Sequence, residues 1–187
     1  MLMFKNMIKH LLLWSFFLLL IFFMTEVVTA KEMCLKMQYK YPNKHEKITT
    51  FIKTYDIKKD RAYILSDYIL YIGERHELDP LLLASILGVE SSYRFDAINP
   101  MSKDYGAIQL NLRVWKREFK RLNIDFNLDL FNSSKIYQIK VMATILNVLK
   151  NRHKEDCFWW ARYHSSTPKF KKIYIKKIEK MITKIAN

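Results

Sequence analysis

Asp79-Pro80-Leu81-Leu82-Leu83-Ala84-Ser85-Ile86-Leu87-Gly88-Val89-Glu90 is the stretch whose reading decides the fold. An aspartate can cap the free amides of a first helical turn, and a proline fits that turn because its missing N–H has no intrahelical partner there. Leu81, Leu82, Leu83, Ile86, Leu87 and Val89 follow, so the helix is apolar almost all round and belongs at the centre of a core. Glu90 breaks the pattern. It lies at i+7 from Leu83, in line with Ile86 and Leu87, in a segment with no other acid after Asp79. A carboxyl there loses water and sits at the negative end of the helix dipole, and both effects raise its pKa, as a general acid requires. The alternative is a helix-end glutamate paired with Arg94 at i+4.

Working outward, Ala62, Ile64, Leu65, Tyr68, Ile69 and Ile72 recur at helical spacing from Arg61 to near Gly73. Further helices are expected over Arg113 to Leu122, about Ser134 to Lys150, about Phe158 to His164, and from Pro168 toward Ile185. Between Tyr93 and Asn111 the helical signal stops. Asn99-Pro100, Ser102, Asp104 and Gly106 mark turns around a short extended piece, Ala107 to Leu110, so a loop or small hairpin follows the central helix. Only 3 Gly and 4 Pro in 187 residues argue against a turn-rich all-β fold, and 14% aromatic residues argue against disorder. The expected class is mainly α, one helical domain over 59–187. Residues 31–58, rich in lysine and broken by Pro42 and Asn43, read as a leader packed onto it.

Residues 1–30 read as an address. Lys5 and Lys9 precede an apolar run from Leu11 to Met24, and Val28-Thr29-Ala30 fits signal-peptidase cleavage. Fourteen residues span about 21 Å as a helix, against about 30 Å of hydrocarbon, so a cleaved signal is expected over an uncleaved anchor. The chain is therefore expected in the periplasm or cell envelope, touching membrane only through this segment if it is uncleaved. Of 32 basic and 18 acidic residues, removing Lys5, Lys9 and Glu26 leaves 30 and 17, a mature charge of +13. An oxidising compartment permits a Cys34–Cys157 disulfide, whose long loop gives about 5 kcal/mol by chain entropy; two free thiols are the alternative.

Near Glu90 the chain gathers Ser91, Ser92, Tyr93, Ser102, Tyr105 and Gln109, hydroxyls and an amide suited to sugars, and two of its three glycines, Gly88 and Gly106, which suggest close backbone approach beside a cleft. The stretch Glu77 to Asn111, ELDPLLLASILGVESSYRFDAINPMSKDYGAIQLN, resembles the catalytic core of lytic transglycosylases of the soluble-lytic-transglycosylase type, lysozyme-like enzymes that cleave peptidoglycan. Three ordered pieces carry the resemblance: a helix ending in Glu-Ser, an Asn-Pro and Ser turn, and Tyr-Gly-x-x-Gln. Ala161 to Ser165 is similar to the family's distal Tyr motif, and Ser166-Thr167-Pro168 to small members that accompany secretion or conjugation machines.

The resemblance implies an α+β lysozyme-like fold with Glu90 as sole catalytic acid and base. Ser102 and Gln109 would line sugar subsites, Tyr105 and Gly106 shape the wall, and Tyr163 approach the Glu90 carboxyl. Ile108 stands where the family usually has Met, and His164 where many members have Asn. The implied reaction yields a 1,6-anhydro sugar without water, so it needs no second carboxylate, and Asp96 and Asp104 read as turn residues. Peptidoglycan strands, with a secretion or conjugation apparatus, are the expected partners.

The alternatives are a goose-type hydrolytic lysozyme and a non-catalytic basic wall-binding module. Nucleic acid is not expected, because the basic residues are scattered without a reading motif. Lys169, Lys171, Lys172, Lys176, Lys177, Lys180 and Lys184 lie opposite Phe170, Ile173, Tyr174, Ile178, Met181 and Ile185, first of all a solvated helix face. Cys157 and His164 have no compact set of further ligands, and no phosphate loop is present, so neither metal nor cofactor is expected. Trp159 and Trp160 are candidate sugar platforms.

Overall fold

Asp79 caps its helix as its place before Pro80 predicts: the carboxylate accepts from Leu81 N at 3.0 Å and pairs with Lys44 Nζ at 3.2 Å. The computed structural model describes Ser15 and residues 43–187. The expected signal segment apart from Ser15, residues 31–42 of the expected leader, and Cys34 with its expected bond to Cys157 lie outside the described residues.

The elements run α1 (Lys44–Lys53), α2 (Lys59–Arg75), α3 (Pro80–Ser91), β1 (Ile98–Asn99), β2 (Asp104–Tyr105), β3 (Leu110–Asn111), α4 (Leu112–Arg121), α5 (Leu128–Ser133), α6 (Lys135–Arg152), a 3-10 turn (Trp159–Tyr163) and α7 (Pro168–Ala186). The protein is mainly helical. Helix α3 is buried from Leu81 through Gly88 and packs against α1, α2 and α7, while α6 packs on α2, α5 and the 3-10 turn. A helix apolar on every face has to be surrounded in this way.

Three expectations change. The segment read as a leader holds α1, a core helix: Ile48, Phe51 and Ile52 are buried, and with Tyr55 they form one face at i, i+3, i+4 and i+7. The expected helix at 158–164 is a short 3-10 turn, and α5 has no counterpart in the sequence reading. Of the expected extended piece only Leu110 is in a strand; Ala107 and Ile108 lie fully buried in a turn.

Gly88 serves helix packing, not a cleft. A Cβ there would sit 2.8 Å from the Tyr55 hydroxyl and 3.4 Å from Phe51 Cζ, so the bare backbone of α3 admits the rings of α1 and the turn after it. Gly88→Ala should gain up to about 1 kcal/mol of helix propensity and lose as much or more by pushing the Tyr55 hydroxyl aside. In a Tyr55→Phe background the same substitution becomes stabilising, a reversal readable from urea midpoints of the four proteins of the cycle.

Candidate active site

The three short strands form an antiparallel sheet in the order β1-β2-β3, with Ile98 opposite Tyr105, Asn99 opposite Asp104, Asp104 opposite Asn111 and Tyr105 opposite Leu110. Asn99, Asp104 and Asn111 therefore make one cross-strand row, and all three line a cleft of about 730 Å³. Asn111 Nδ2 donates to Asp104 Oδ1 at 2.8 Å and to Ser102 O at 3.1 Å. Behind the sheet, Ser91 Oγ donates to Ala107 O at 2.9 Å, tying the end of α3 to the turn.

Glu90 lies between two spaces. It lines the 730 Å³ cleft and also a lobe of about 280 Å³ walled by Arg94, Ala97, Ile98 and Pro100; Asn99 and Gln109 border both. Its side chain is 10% exposed, and Oε1 has no hydrogen-bond partner among the described residues. Burial pushes the carboxyl up to about 7, the Tyr174 hydroxyl draws it down, Asp104 raises it and Lys177 lowers it. The alternative pairing with Arg94 is not made: Arg94 Nε donates to Ser91 O at 3.1 Å.

Tyr174 of α7 is the tyrosine that faces this carboxyl. Its buried hydroxyl has no complete hydrogen bond, so it is free to turn toward Glu90. The His164 ring stacks on Tyr174, centroids 4.7 Å apart and planes 8° from parallel, with Nδ1 3.9 Å from Glu90 Oε1. Burial and Lys177 hold the His164 pKa below its usual range, with Asp104 acting the other way. A depressed imidazole beside a raised carboxyl is not an ion pair near neutral pH. Tyr163 lines the same cleft near enough for Glu90 to act on it electrostatically, as expected, while its hydroxyl donates to Ile108 O at 2.7 Å.

The other expected site residues divide. Gln109 lines both spaces, held at φ 45° with Nε2 donating to Gly106 O at 3.0 Å; a side chain in the left-handed region is a strained placement. Ser102, Tyr105 and Gly106 line neither. Ser102 is an exposed turn residue whose amide donates to Asn99 Oδ1, and Tyr105 lies in the sheet row beside Ile98 and Leu110. Gly106, at φ +71°, lets the turn close on Gln138, whose Cδ would be 2.8 Å from an added Cβ. Trp160 is buried in the core beside Phe158 and Tyr174, and Trp159 lines neither space.

Sequence reasoning missed Tyr174, Trp115 and the cleft position of Asp104. Trp115, on α4 and tilted against Phe119, is the indole in the cleft wall. Its signal was the spacing Trp115 to Glu118, which puts both on one face of a strongly charged helix. Among the described residues no group of three or more His, Cys, Asp or Glu is placed to hold a metal ion, and no helix is long and apolar enough to cross a membrane. The arrangement is one desolvated, protonatable carboxyl in the middle of a polar cleft with an indole wall. Comparison of the chain with protein-family models, with curated proteins and with solved structures finds no match.

Proposed function

We propose that this is an exported, lysozyme-like lytic transglycosylase that cuts the β-1,4 bond between N-acetylmuramic acid and N-acetylglucosamine in peptidoglycan, leaving a 1,6-anhydro end. The observation that carries the reading is Glu90, a carboxyl held near 7 where two spaces of a cleft meet, so that a strand crossing from one to the other passes over it. Glu90 donates its proton to the glycosidic oxygen as the C1–O bond breaks. The resulting carboxylate takes the proton of the muramic C6 hydroxyl as that oxygen bonds to C1, which restores the acid with no water consumed.

The surroundings suit both halves of that cycle. Burial favours the neutral acid needed first, and the Tyr174 hydroxyl can donate to the anion that follows. Trp115 offers an apolar face to a pyranose ring, while Asn99 and Gln109 offer amides to its substituents. The excess of 32 basic over 18 acidic residues suits an enzyme on an anionic wall, and the proposal includes export and local opening of that wall for a secretion or conjugation apparatus.

One observation favours a second reading. Asp104 faces the cleft and acts electrostatically on Glu90, so a hydrolase of goose type, with a second carboxylate directing water, has a candidate for that carboxylate. Mass spectrometry of products from purified peptidoglycan separates the two. Anhydro-muropeptides that persist in Asp104→Asn are the expected result; reducing ends that vanish in Asp104→Asn would establish hydrolysis instead. A folded chain that releases neither product would point to the wall-binding module.

A further inference from the structure

The cleft contains charges that take no part in the proton transfers at Glu90. Glu118 of α4, Arg152 at the end of α6, Arg162 of the 3-10 turn and Lys177 of α7 all line it. Glu118 Oε2 accepts from Arg152 Nη2 at 2.5 Å and from Arg121 Nη2 at 3.0 Å. Asp156 Oδ2 accepts from Arg162 Nε at 3.1 Å and from Lys171 Nζ at 2.5 Å. Each acid is shared by two cations, so each knot keeps a surplus positive charge. The two arginines hold Glu118 down to about 2, so protonation of that acid does not alter the balance near neutral pH.

Geometry makes the surplus usable. Among the described residues Arg152 commits only Nη2 and Arg162 only Nε to hydrogen bonds, which leaves most of each guanidinium fork unengaged on the cleft wall. Lys177 adds a charge with no acid paired to it among the described residues. A planar fork matches a carboxylate through two parallel bonds, which an ammonium or an amide cannot do. Trp115 stands one helical turn from Glu118 on the same face of α4, so a sugar seated on the indole would carry its substituents toward the Arg152 knot.

We propose that the Arg152 and Arg162 forks, with Lys177, form a subsite for a carboxylate-bearing side branch of the sugar strand. The proposal rests on reading Glu90 as a glycan-cleaving acid. On a peptidoglycan strand those carboxylates belong to the peptide carried by the muramic acid lactyl group. The enzyme then prefers strands whose peptides carry free carboxylates to strands whose side branches carry none, and the preference comes from binding, because the arginines do not touch the bond that breaks.

Isothermal titration of the full chain carrying Glu90→Gln, which holds substrate without turning it over, tests this with two probes. One is a peptide-bearing tetrasaccharide of alternating N-acetylglucosamine and N-acetylmuramic acid; the other, the bare probe, is the same sugar after amidase removal of the peptides and conversion of the lactyl carboxylates so freed to primary amides. The peptide-bearing probe is expected to bind about tenfold or more tightly, with the difference shrinking as salt rises. Arg152→Gln with Arg162→Gln should abolish the difference and leave the bare probe's affinity unchanged, while Arg152→Lys, which keeps charge without the fork, should retain only part of it. Equal binding of the two probes to the chain with intact arginines overturns the subsite whatever the variants do, and so does an equal loss for both probes in the double variant. Binding of neither probe, with no anhydro product from the wild-type chain, is the distinct failure of the glycan reading itself.

Discussion

Under the proposed function, Glu90→Gln is expected to abolish product formation, with a loss of about a thousandfold or more, and to make the protein more stable above neutral pH. The activity loss follows from one carboxyl serving as acid and then as base, since a carboxamide can do neither. The stability gain follows from burial. The fold raises this carboxyl from an ordinary 4.5 to about 7, so it favours the protonated form. The contribution is full below about pH 4.5, declines as pH rises and is lost above about 7, where the fold must hold a desolvated anion. Glutamine has nearly the same shape and no charge at any pH. Urea melts should therefore coincide at pH 4, whereas at pH 8.5 the variant should exceed wild type by up to about 3 kcal/mol. Equal stability at both pH values would mean that the carboxyl is not desolvated. Wild-type cleavage should also fall as pH rises through 7, because the acid that starts the cycle is then titrated away.

That behaviour was legible in the sequence because its causes are local. An apolar stripe ending in Glu90 and a cap at Asp79-Pro80 are statements about neighbours within two turns, and α3 bears both out. The residues that act on Glu90 from other elements were harder to read. Tyr174 stood in the apolar stripe of a lysine-rich helix, where packing explains it fully, and only the crossing of α7 over α3 brings its hydroxyl to the carboxyl. Asp104 and Tyr105 are adjacent, and which of them faces the cleft depends on strand register: the pairing of Asn99 with Asp104 selects the aspartate, and a shift of one residue would have selected the tyrosine. Helix α1 was hidden for another reason. Its face of Ile48, Phe51, Ile52 and Tyr55 is regular, but Lys44, Lys47 and Lys53 around it, in a stretch rich in lysine, gave it the composition of a leader.

Gln138→Leu should cost about 3 to 5 kcal/mol, the largest stability loss expected of a single substitution near the site. Gln138 lies on α6 and is almost wholly buried, and its carboxamide is the staple that fixes the cleft's hairpin wall. Oε1 accepts from Ala107 N at 2.8 Å, while Nε2 donates to Phe95 O and Phe131 O, each at 2.9 Å. Leucine fills similar volume but strands an amide and two carbonyls, at least two of them out of reach of water, and orphaned groups of this kind cost more than the bonds themselves contribute. The staple also explains Gly106, since a Cβ there would fall on the Gln138 carboxamide and the backbone is already at φ +71°. Gly106→Ala and Gln138→Leu therefore strike one contact, and their costs should combine to clearly less than their sum. Because the staple holds the segment carrying Asn99, Asp104 and Gln109, cleavage should fall in Gln138→Leu at temperatures where circular dichroism still shows a folded chain. Hydrogen exchange places the cause: the Ala107 amide should lose protection first, while amides in the middle of α3 keep theirs. Uniform loss along α3 as well would mean that Gln138 supports the whole core and not this wall.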